Sequence, residues 1–214
     1  MILPTKSLER KLFKSGYRVV YAVDEVGMGC LAGPVVVCVV AFNRKFFSKL
    51  HRNLHWLRDS KLLLPHQREK FANELMKEKN LNYAISLCSS KTIDKINIYN
   101  AARVAMKRAI VALRPAQGYQ NYRPIVLIDG KTKIKNLTLE QVAIVKGDRK
   151  VFAIACASII AKVFRDKMMI KYAKKYPGYG FEKHKGYATK YHQEKLAILG
   201  HSVIHRQSFR LVYK

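Results

Sequence analysis

Residues 20–40 read Val-Tyr-Ala-Val-Asp-Glu-Val-Gly-Met-Gly-Cys-Leu-Ala-Gly-Pro-Val-Val-Val-Cys-Val-Val, with two adjacent carboxylates, Asp24 and Glu25, inside an apolar run. Their flanks have the composition of a buried strand. Burying one unpaired carboxylate costs several kcal/mol, and a second beside it adds like-charge repulsion. A divalent cation is the strongest compensation, whereas two solvated acids at a strand edge is the plainer alternative. Successive strand side chains face opposite ways, so the pair belongs at a strand end, one acid meeting the ion directly and the other reaching round or acting through water. Gly27, Gly29, Gly33 and Pro34 then demand a tight turn where backbone approaches a ligand or another chain.

Working outward, 17–25 and 34–42 read as an antiparallel strand pair joined by that turn. Residues 59–64 form a loop, and Pro65 starts a helix over about 66–79. Residues 81–88 alternate as a half-buried strand, and 93–98 make a short turn or helix. An amphipathic helix follows to about Leu113, with Ala102, Ala105, Met106 and Ile110 on one face. Residues 125–128 form a doubly buried strand ending at Asp129-Gly130, and 142–146 a short fifth strand. After Lys146-Gly147-Asp148 comes a long apolar helix whose small residues (Ala153, Ala155, Ala157, Ser158, Ala161) suit close packing on a sheet. A tyrosine- and glycine-rich loop at 176–187 and a helix from about Thr189 to Leu199 complete the chain. This order predicts an α/β protein with a mixed central sheet and helices on its faces.

The 214 residues suffice for one sizeable core, so a single domain is expected. No apolar stretch reaches membrane-spanning length, and residues 1–16 are basic without a signal peptide's apolar core, which points to the cytoplasm. Cys30, Cys38, Cys88 and Cys156 lie in apolar surroundings without metal-ligand spacing and read as buried thiols. His51/His55 and His201/His205 share helical spacing without acidic partners and read as surface or phosphate-facing residues. Lys and Arg total 41 against 14 acids, a net charge of +27, which favours a polyanionic partner, nucleic acid before membrane.

With so few acids, their positions matter. Glu69, Glu74, Glu78 and Glu194 sit among lysines on helix surfaces, whereas Asp24, Glu25, Asp129 and Asp148 fall at the edges of apolar segments. Ligands of open α/β sheets collect beyond the carboxyl ends of strands, where Asp24, Glu25 and Asp129 are placed. Asp129 also suits a plain turn, and Asp148 a helix N-cap. Asp166 is the rival fourth ligand. It lies 18 residues from Asp148 along the same helical region, about 27 Å away, so the two cannot share a site. Asp166 in Phe-Arg-Asp-Lys reads as paired with basic neighbours, leaving Asp148. Four carboxylates without histidine or cysteine favour Mg²⁺ or Mn²⁺, and in a basic protein that suggests two-metal phosphodiester hydrolysis.

The chain resembles the ribonuclease HII family from about Tyr17 to Phe209. The resemblance rests on Val-Asp-Glu-Val-Gly-Met-Gly-Cys-Leu-Ala-Gly-Pro, Asp59-Ser60-Lys61, Met106-Lys107-Arg108-Ala109, Ile128-Asp129-Gly130 and Lys146-Gly147-Asp148. It extends through Ala157-Ser158-Ile159-Ile160-Ala161-Lys162-Val163, Tyr176-Pro177-Gly178-Tyr179-Gly180-Phe181, His184-Lys185-Gly186-Tyr187-Ala188-Thr189 and Ile204-His205-Arg206. It implies a ribonuclease H-like fold, a five-stranded mixed sheet flanked by helices with a helical C-terminal segment, in one catalytic domain with 1–16 as a basic extension. It also implies cleavage of the RNA strand of RNA–DNA hybrids and nicking 5′ to ribonucleotides embedded in duplex DNA, leaving 3′-hydroxyl and 5′-phosphate ends.

By position, the family's metal-binding acids fall on Asp24, Glu25, Asp129 and Asp148, and the tyrosine that meets the ribonucleotide falls on Tyr187. The 2′-hydroxyl is the group on the sugar that separates RNA from DNA. The family's Gly-Arg-Gly turn, whose backbone approaches that hydroxyl, falls on Gly27, Met28 and Gly29. Methionine at 28 removes a charge-assisted phosphate bond. Lys61, Lys146 and Lys185 are expected phosphate contacts. A longer helical tail after Phe209 is not expected, nor is an obligate protein partner, and a monomer is anticipated. A non-catalytic basic nucleic-acid-binding protein and a DNA-cutting nuclease of the same superfamily are the competing readings.

Overall fold

β-branched runs become the centre of the sheet. In the computed structural model, which describes residues 3–113 and 122–209, β1 (Val19–Val26) and β2 (Val35–Asn43) pair antiparallel, with Asp24 opposite Cys38. β3 (Leu81–Cys88) extends the sheet antiparallel to β2. β4 (Pro124–Asp129) lies parallel to β1, and β5 (Glu140–Ile144) parallel to β4, giving the order β3-β2-β1-β4-β5. The interiors of β1, β2 and β4 are buried on both faces, while the edge strands β3 and β5 are partly exposed, as their alternating sequences require.

Nine α-helices, some a single turn long, occur among the described residues, besides two 3₁₀ turns: α1 (Ser7–Lys14), α2 (Arg44–Phe47), α3 (Pro65–Lys77), α4 (Ser90–Ile96), α5 (Ile98–Ala112), α6 (Gly147–Lys150), α7 (Phe152–Lys175), α8 (Phe181–His184) and α9 (Lys190–Leu199). α7 packs across one face of the sheet, its small residues Ala153, Ala155, Ala157 and Ala161 fully buried against even-numbered β1 residues Val20 and Ala22. α5 covers the other face through Ala102, Ala105, Met106 and Ile110, against Tyr21 and Val23. A third cluster (Leu31, Ala32, Met169, Tyr179, Phe181, Leu196, Ile204) joins the C-terminal segment to the turn after β1. Two isolated bridges, Cys30–Tyr187 and Ala32–His205, reinforce that joint. No helix among the described residues is long and apolar enough to cross a membrane.

Three expectations need correction. β5 ends at Ile144 rather than 146, because Lys146 adopts left-handed backbone (φ 56°) that cannot continue a strand. The segment 93–98 divides between α4 and α5 at Asn97 (φ 63°), whose side chain caps the Asn100 N–H. Asp148 does not cap the long helix; it lies in the one-turn α6, and α7 begins after Val151. The residues after Phe209 lie outside the described ones.

The N-terminus of α7 is served instead by Glu9 of α1. Its Oε1 accepts the Ala153 N–H at 2.8 Å, and its Oε2 is buried without a hydrogen-bond partner. Burial raises the carboxyl from its ordinary 4.5 to about 6, against the pull of the Ala153 N–H, its own backbone, Lys6 and Arg10. Between those values the folded state binds more protons than the unfolded chain, so this group's contribution to stability falls as pH rises. Glu9→Gln keeps the accepting oxygen and removes the charge. Its stability advantage over wild type, measured by urea unfolding, should be near zero at pH 4.5 and reach up to about 2 kcal/mol at pH 7. An unchanged or lower stability at pH 7 would contradict this account.

Candidate active site

Strand register brings three acids together. Val23 pairs with Ile128 in the last step of the parallel β1–β4 ladder, which places Asp24 beside Asp129 at the end of β4. β1 itself runs on to Val26 against β2, so Asp24 and Glu25 lie within that strand and not, as expected, at its end. Asp24 and Asp129 follow residues facing α7, Ala22 and Leu127 being in its cluster at i−2, so the two acids share that face; Glu25 points toward α5. Asp24 is buried, and its Oδ1 accepts the Glu25 N–H at 2.8 Å. Burial, then Glu25 and Asp129, pushes its carboxyl well above the usual range, opposed by a hydrogen bond from Ser158 on α7. Ser158 Oγ lies 3.0 Å from Ser60 Oγ, in the 3₁₀ turn Ser60–Leu62. Glu25 is raised to about 7 by burial and then by Asp129, with its own backbone N–H and Lys61 opposing. Its Oε2 is buried and without a hydrogen-bond partner.

Asp129 is half-buried, and its Oδ1 accepts the Gly147 N–H at 2.7 Å, which draws the start of α6 against the strand end. A Cβ at 147 would lie 3.2 Å from that oxygen and 2.6 Å from Ile154 Cδ1, so any side chain there forces Ile154 to shift and crowds the Asp129 carboxylate. Asp148, buried on the same turn, is raised by burial, then by Asp129 and Asp59, while Lys61 and Arg149 lower it. A cleft of about 310 Å³ lies over Asp24, Glu25 and Asp129, with Lys61, Lys162 and Tyr187 on its walls. Asp148 does not line it, although its charge helps to raise both Asp24 and Glu25. Among the described residues, no three His, Cys, Asp or Glu side chains close into a metal cage. The acids fit a hard divalent ion nonetheless: the donors are all carboxylate oxygens, Asp129 helps to raise Asp24, Glu25 and Asp148, and Glu25 Oε2 lacks a partner.

The expected binding residues divide. Gly27, Met28 and Gly29 line the cleft beside Lys61 and Tyr187. Gly27 has φ 97°, and a Cβ there would lie 2.5 Å from Arg165 Nε and 2.9 Å from the Pro34 carbonyl; this glycine serves packing within the chain. Nothing lies within 4 Å of a Cβ at Gly29, so no neighbour in the protein demands glycine there. Tyr187 is 36% exposed, its phenol pushed up to about 12 by burial and then by Cys30. Lys146 and Lys185 do not line this cleft. Lys146 is exposed beyond β5, and Lys185 turns its Nζ to the Glu182 carbonyl beside a neighbouring basic groove. Asp166 is paired as expected, 2.7 Å from Lys162 and 3.7 Å from Arg68.

Several functional neighbours escaped sequence reasoning. Asp59, 1% exposed, accepts the Lys61 N–H at 2.9 Å and Arg149 Nε at 3.0 Å, tying the lysine's turn to α6. Its position two residues before Lys61 in Asp-Ser-Lys is a cap signal that could have been read. Lys162 Nζ sits 5.4 Å from the Tyr187 ring centroid. His205 is not a surface residue: it is 2% exposed, with His192 fully buried beside it. His51 also turns inward, stacked on Phe46 and bonded to its carbonyl. The four cysteines are buried and free.

A mixed five-stranded sheet with acids side by side on adjoining strands is the ribonuclease H-like fold. The structure matches the ribonuclease HII of Archaeoglobus fulgidus, solved as a complex with PCNA, with TM-score 0.72 and 27% identity, covering 92% of this chain and 97% of that one. It matches the ribonuclease H2 of Pyrococcus horikoshii OT3 with TM-score 0.69 and 27% identity, covering 90% and 94%. The Ribonuclease HII family model matches residues 22–212. The ribonuclease HII of Caldicellulosiruptor bescii is 48% identical over 202 residues, 94% of this chain and 91% of that one. The chain therefore belongs to the ribonuclease HII family and is a metal-dependent endoribonuclease.

Like-charge burial at the cleft makes a measurable prediction. Asp24→Asn keeps the oxygen that accepts the Glu25 N–H and removes one negative charge. In metal-free protein it should raise Tm, by about 2–4 °C for each kcal/mol of repulsion and desolvation relieved. The raised carboxyl binds its proton more tightly when folded, so the gain should shrink as pH falls and the wild-type acid protonates. A lowered Tm at neutral pH would refute the electrostatic reading.

Proposed function

We propose that this chain is a single catalytic domain that hydrolyses the RNA strand of RNA–DNA hybrids. The same site would nick duplex DNA on the 5′ side of an embedded ribonucleotide, leaving 3′-hydroxyl and 5′-phosphate ends. The observation that carries this reading is one cleft holding unneutralised carboxylates on its floor and Lys61, Lys162 and Tyr187 on its walls, in a protein of net charge +27. Asp24, Glu25, Asp129 and Asp148 are the proposed holders of Mg²⁺ or Mn²⁺. Such ions, when bound, lower the pKa of a water nucleophile and neutralise charge on the phosphodiester.

The remaining work falls to the chain itself. Gly147 fixes one oxygen of Asp129 and leaves the other free to turn toward the cleft. Ser158 and the Glu25 N–H orient Asp24 from two sides. Lys61, held by Asp59, meets backbone phosphate, and Tyr187 packs on the sugar at the ribonucleotide. The open face of Gly29 admits the 2′-hydroxyl close to the backbone. Lys146 and Lys185, outside the cleft, would touch phosphates farther along the duplex. Action as a monomer in the cytoplasm, without an obligate partner, completes the reading.

The test is a labelled duplex holding one ribonucleotide, incubated with Mg²⁺, Mn²⁺ or EDTA beside an all-DNA control. Metal-dependent nicking 5′ to the ribonucleotide is expected, and cleavage of the control or none at all would refute the proposal. Asp129→Asn should lower turnover by at least about a thousandfold while hybrid binding stays measurable. Met28→Arg should tighten hybrid binding several-fold and steepen the salt dependence by about one unit. An unchanged affinity and slope would show that side-chain charge at 28 is irrelevant.

A further inference from the structure

The C-terminal segment buries three imidazoles whose hydrogen bonds admit one arrangement of protons. His184, His192 and His205 are 9%, 0% and 2% exposed, packed around the Phe181 ring. His205 Nδ1 faces the Ser202 N–H at 2.9 Å, which can only donate, so the His205 proton sits on Nε2. That nitrogen lies 3.1 Å from His192 Nε2, which must accept, placing the His192 proton on Nδ1. Nδ1 in turn donates to the Tyr187 carbonyl at 2.8 Å. His184 stacks on His192 with centroids 4.2 Å apart, and its ring is spoken for by the Gly186 N–H and the Tyr179 carbonyl. The chain of donation thus runs in one direction, from Ser202 through His205 and His192 to Tyr187.

The same tyrosine is held from its amide side, its N–H donating to the His184 carbonyl at 3.0 Å, and the Thr189 N–H shares its carbonyl at 2.9 Å. We propose that His192 and His205 are positioning residues of the substrate site: their paired rings fix the Tyr187 backbone and so aim the Tyr187 ring at the cleft. This rests on the reading of Tyr187 as the contact to the ribonucleotide sugar. Burial pushes both rings down to about 4, and the neighbouring imidazoles, His184 for His192 and His192 and His201 for His205, push the same way. The other charged groups nearby are Glu182 and Lys185 at His184, and Lys162, Arg165, Asp166 and Arg206 around the Tyr187 side chain. Neutral rings are what the one-way arrangement requires.

Two substitutions separate positioning from bulk packing. In His192→Asn the amide nitrogen stands where Nδ1 stood and can still donate to Tyr187. In His192→Gln the amide reaches the Nε2 position, keeping His205 but abandoning the tyrosine. The readout is kcat/KM on a duplex with one embedded ribonucleotide divided by kcat/KM on a continuous hybrid, measured below each variant's Tm. Tyr187→Ala should lower this ratio, His192→Gln should lower it about tenfold, and His192→Asn should restore it to within about threefold of wild type. His192→Gln should add nothing in a Tyr187→Ala background. Should His192→Gln not fold, His205→Asn, which keeps the Ser202 bond and breaks the link to His192, should lower the ratio instead. If Tyr187→Ala leaves the ratio unchanged, the assignment of Tyr187 fails. If Tyr187→Ala lowers it while His192→Gln and His192→Asn behave alike, or the Tyr187 and His192 effects add, the positioning proposal is overturned.

Discussion

Everything at this site answers to one constraint: carboxylates held by strand register in a place where they cannot move apart. Asp129 terminates β4, Asp24 lies just past the last rung that β1 shares with it, and the pairing of Val23 with Ile128 fixes the two acids side by side. Backbone hydrogen bonds set that spacing, so the repulsion cannot be relaxed by a rotamer change alone. The available responses are protonation, hydrogen bonding or a cation. Hydrogen bonding is already in use, and the raised carboxyls register the repulsion that remains. Asp24 and Glu25 are raised, Ser158 and backbone amides bind individual oxygens, and one oxygen of Glu25 remains sealed with nothing to accept from.

α7 is the element that makes this arrangement specific. Ser158, Lys162, Arg165 and Met169 follow one another at spacings of four, three and four, a single stripe along the helix. Ser158 touches Asp24, and Lys162 approaches the Tyr187 ring. Arg165, fully buried, donates to the carbonyls of Pro34, Ala32 and Lys185, and Met169 packs under Gly33. One helix face therefore fixes the acid, the glycine turn and the tyrosine loop in a common frame. Arg206 completes it from the C-terminal segment, donating to Gly33 and Met28. Every nitrogen of both guanidiniums donates to a carbonyl, which is how two full charges are accommodated with almost no contact with water.

The sheet was legible because its strands are continuous β-branched runs, and Asp24, Glu25 and Asp129 because they interrupt or end such runs. Contacts between distant segments were not legible. Glu9 meets α7 across 144 positions, and no local pattern marks an acid on a basic amphipathic helix as a cap for another helix. Asp148 looked like that cap because it precedes an apolar helix, yet it sits inside a separate single turn, and Arg149, Lys150 and an extended Val151 stand between it and α7. The histidines misled for a related reason. His201 and His205 have helical spacing, but the segment is not helical, and the partner of His205 is His192, on a different element. Buried arginines are invisible in sequence whenever their partners are main-chain carbonyls, since a carbonyl belongs to every residue type.

Residue 28 shows how this frame separates backbone from side chain. The Met28 carbonyl receives Arg206 Nη1 at 3.0 Å, and Gly27 is pressed against Arg165, so the path of the turn is imposed from beneath by two guanidiniums. The methionine side chain, half-buried, rests on the edge of the α5-side core and makes no contribution to those bonds. A turn built this way keeps its backbone groups in place whatever side chain stands at 28. The residue there can vary in charge, and therefore in its attraction for phosphate, without disturbing the acids, the nearest of which in sequence, Glu25, stands three residues back, about 10 Å of extended chain. Binding strength and the metal-holding geometry are thus written on different atoms of the same short segment.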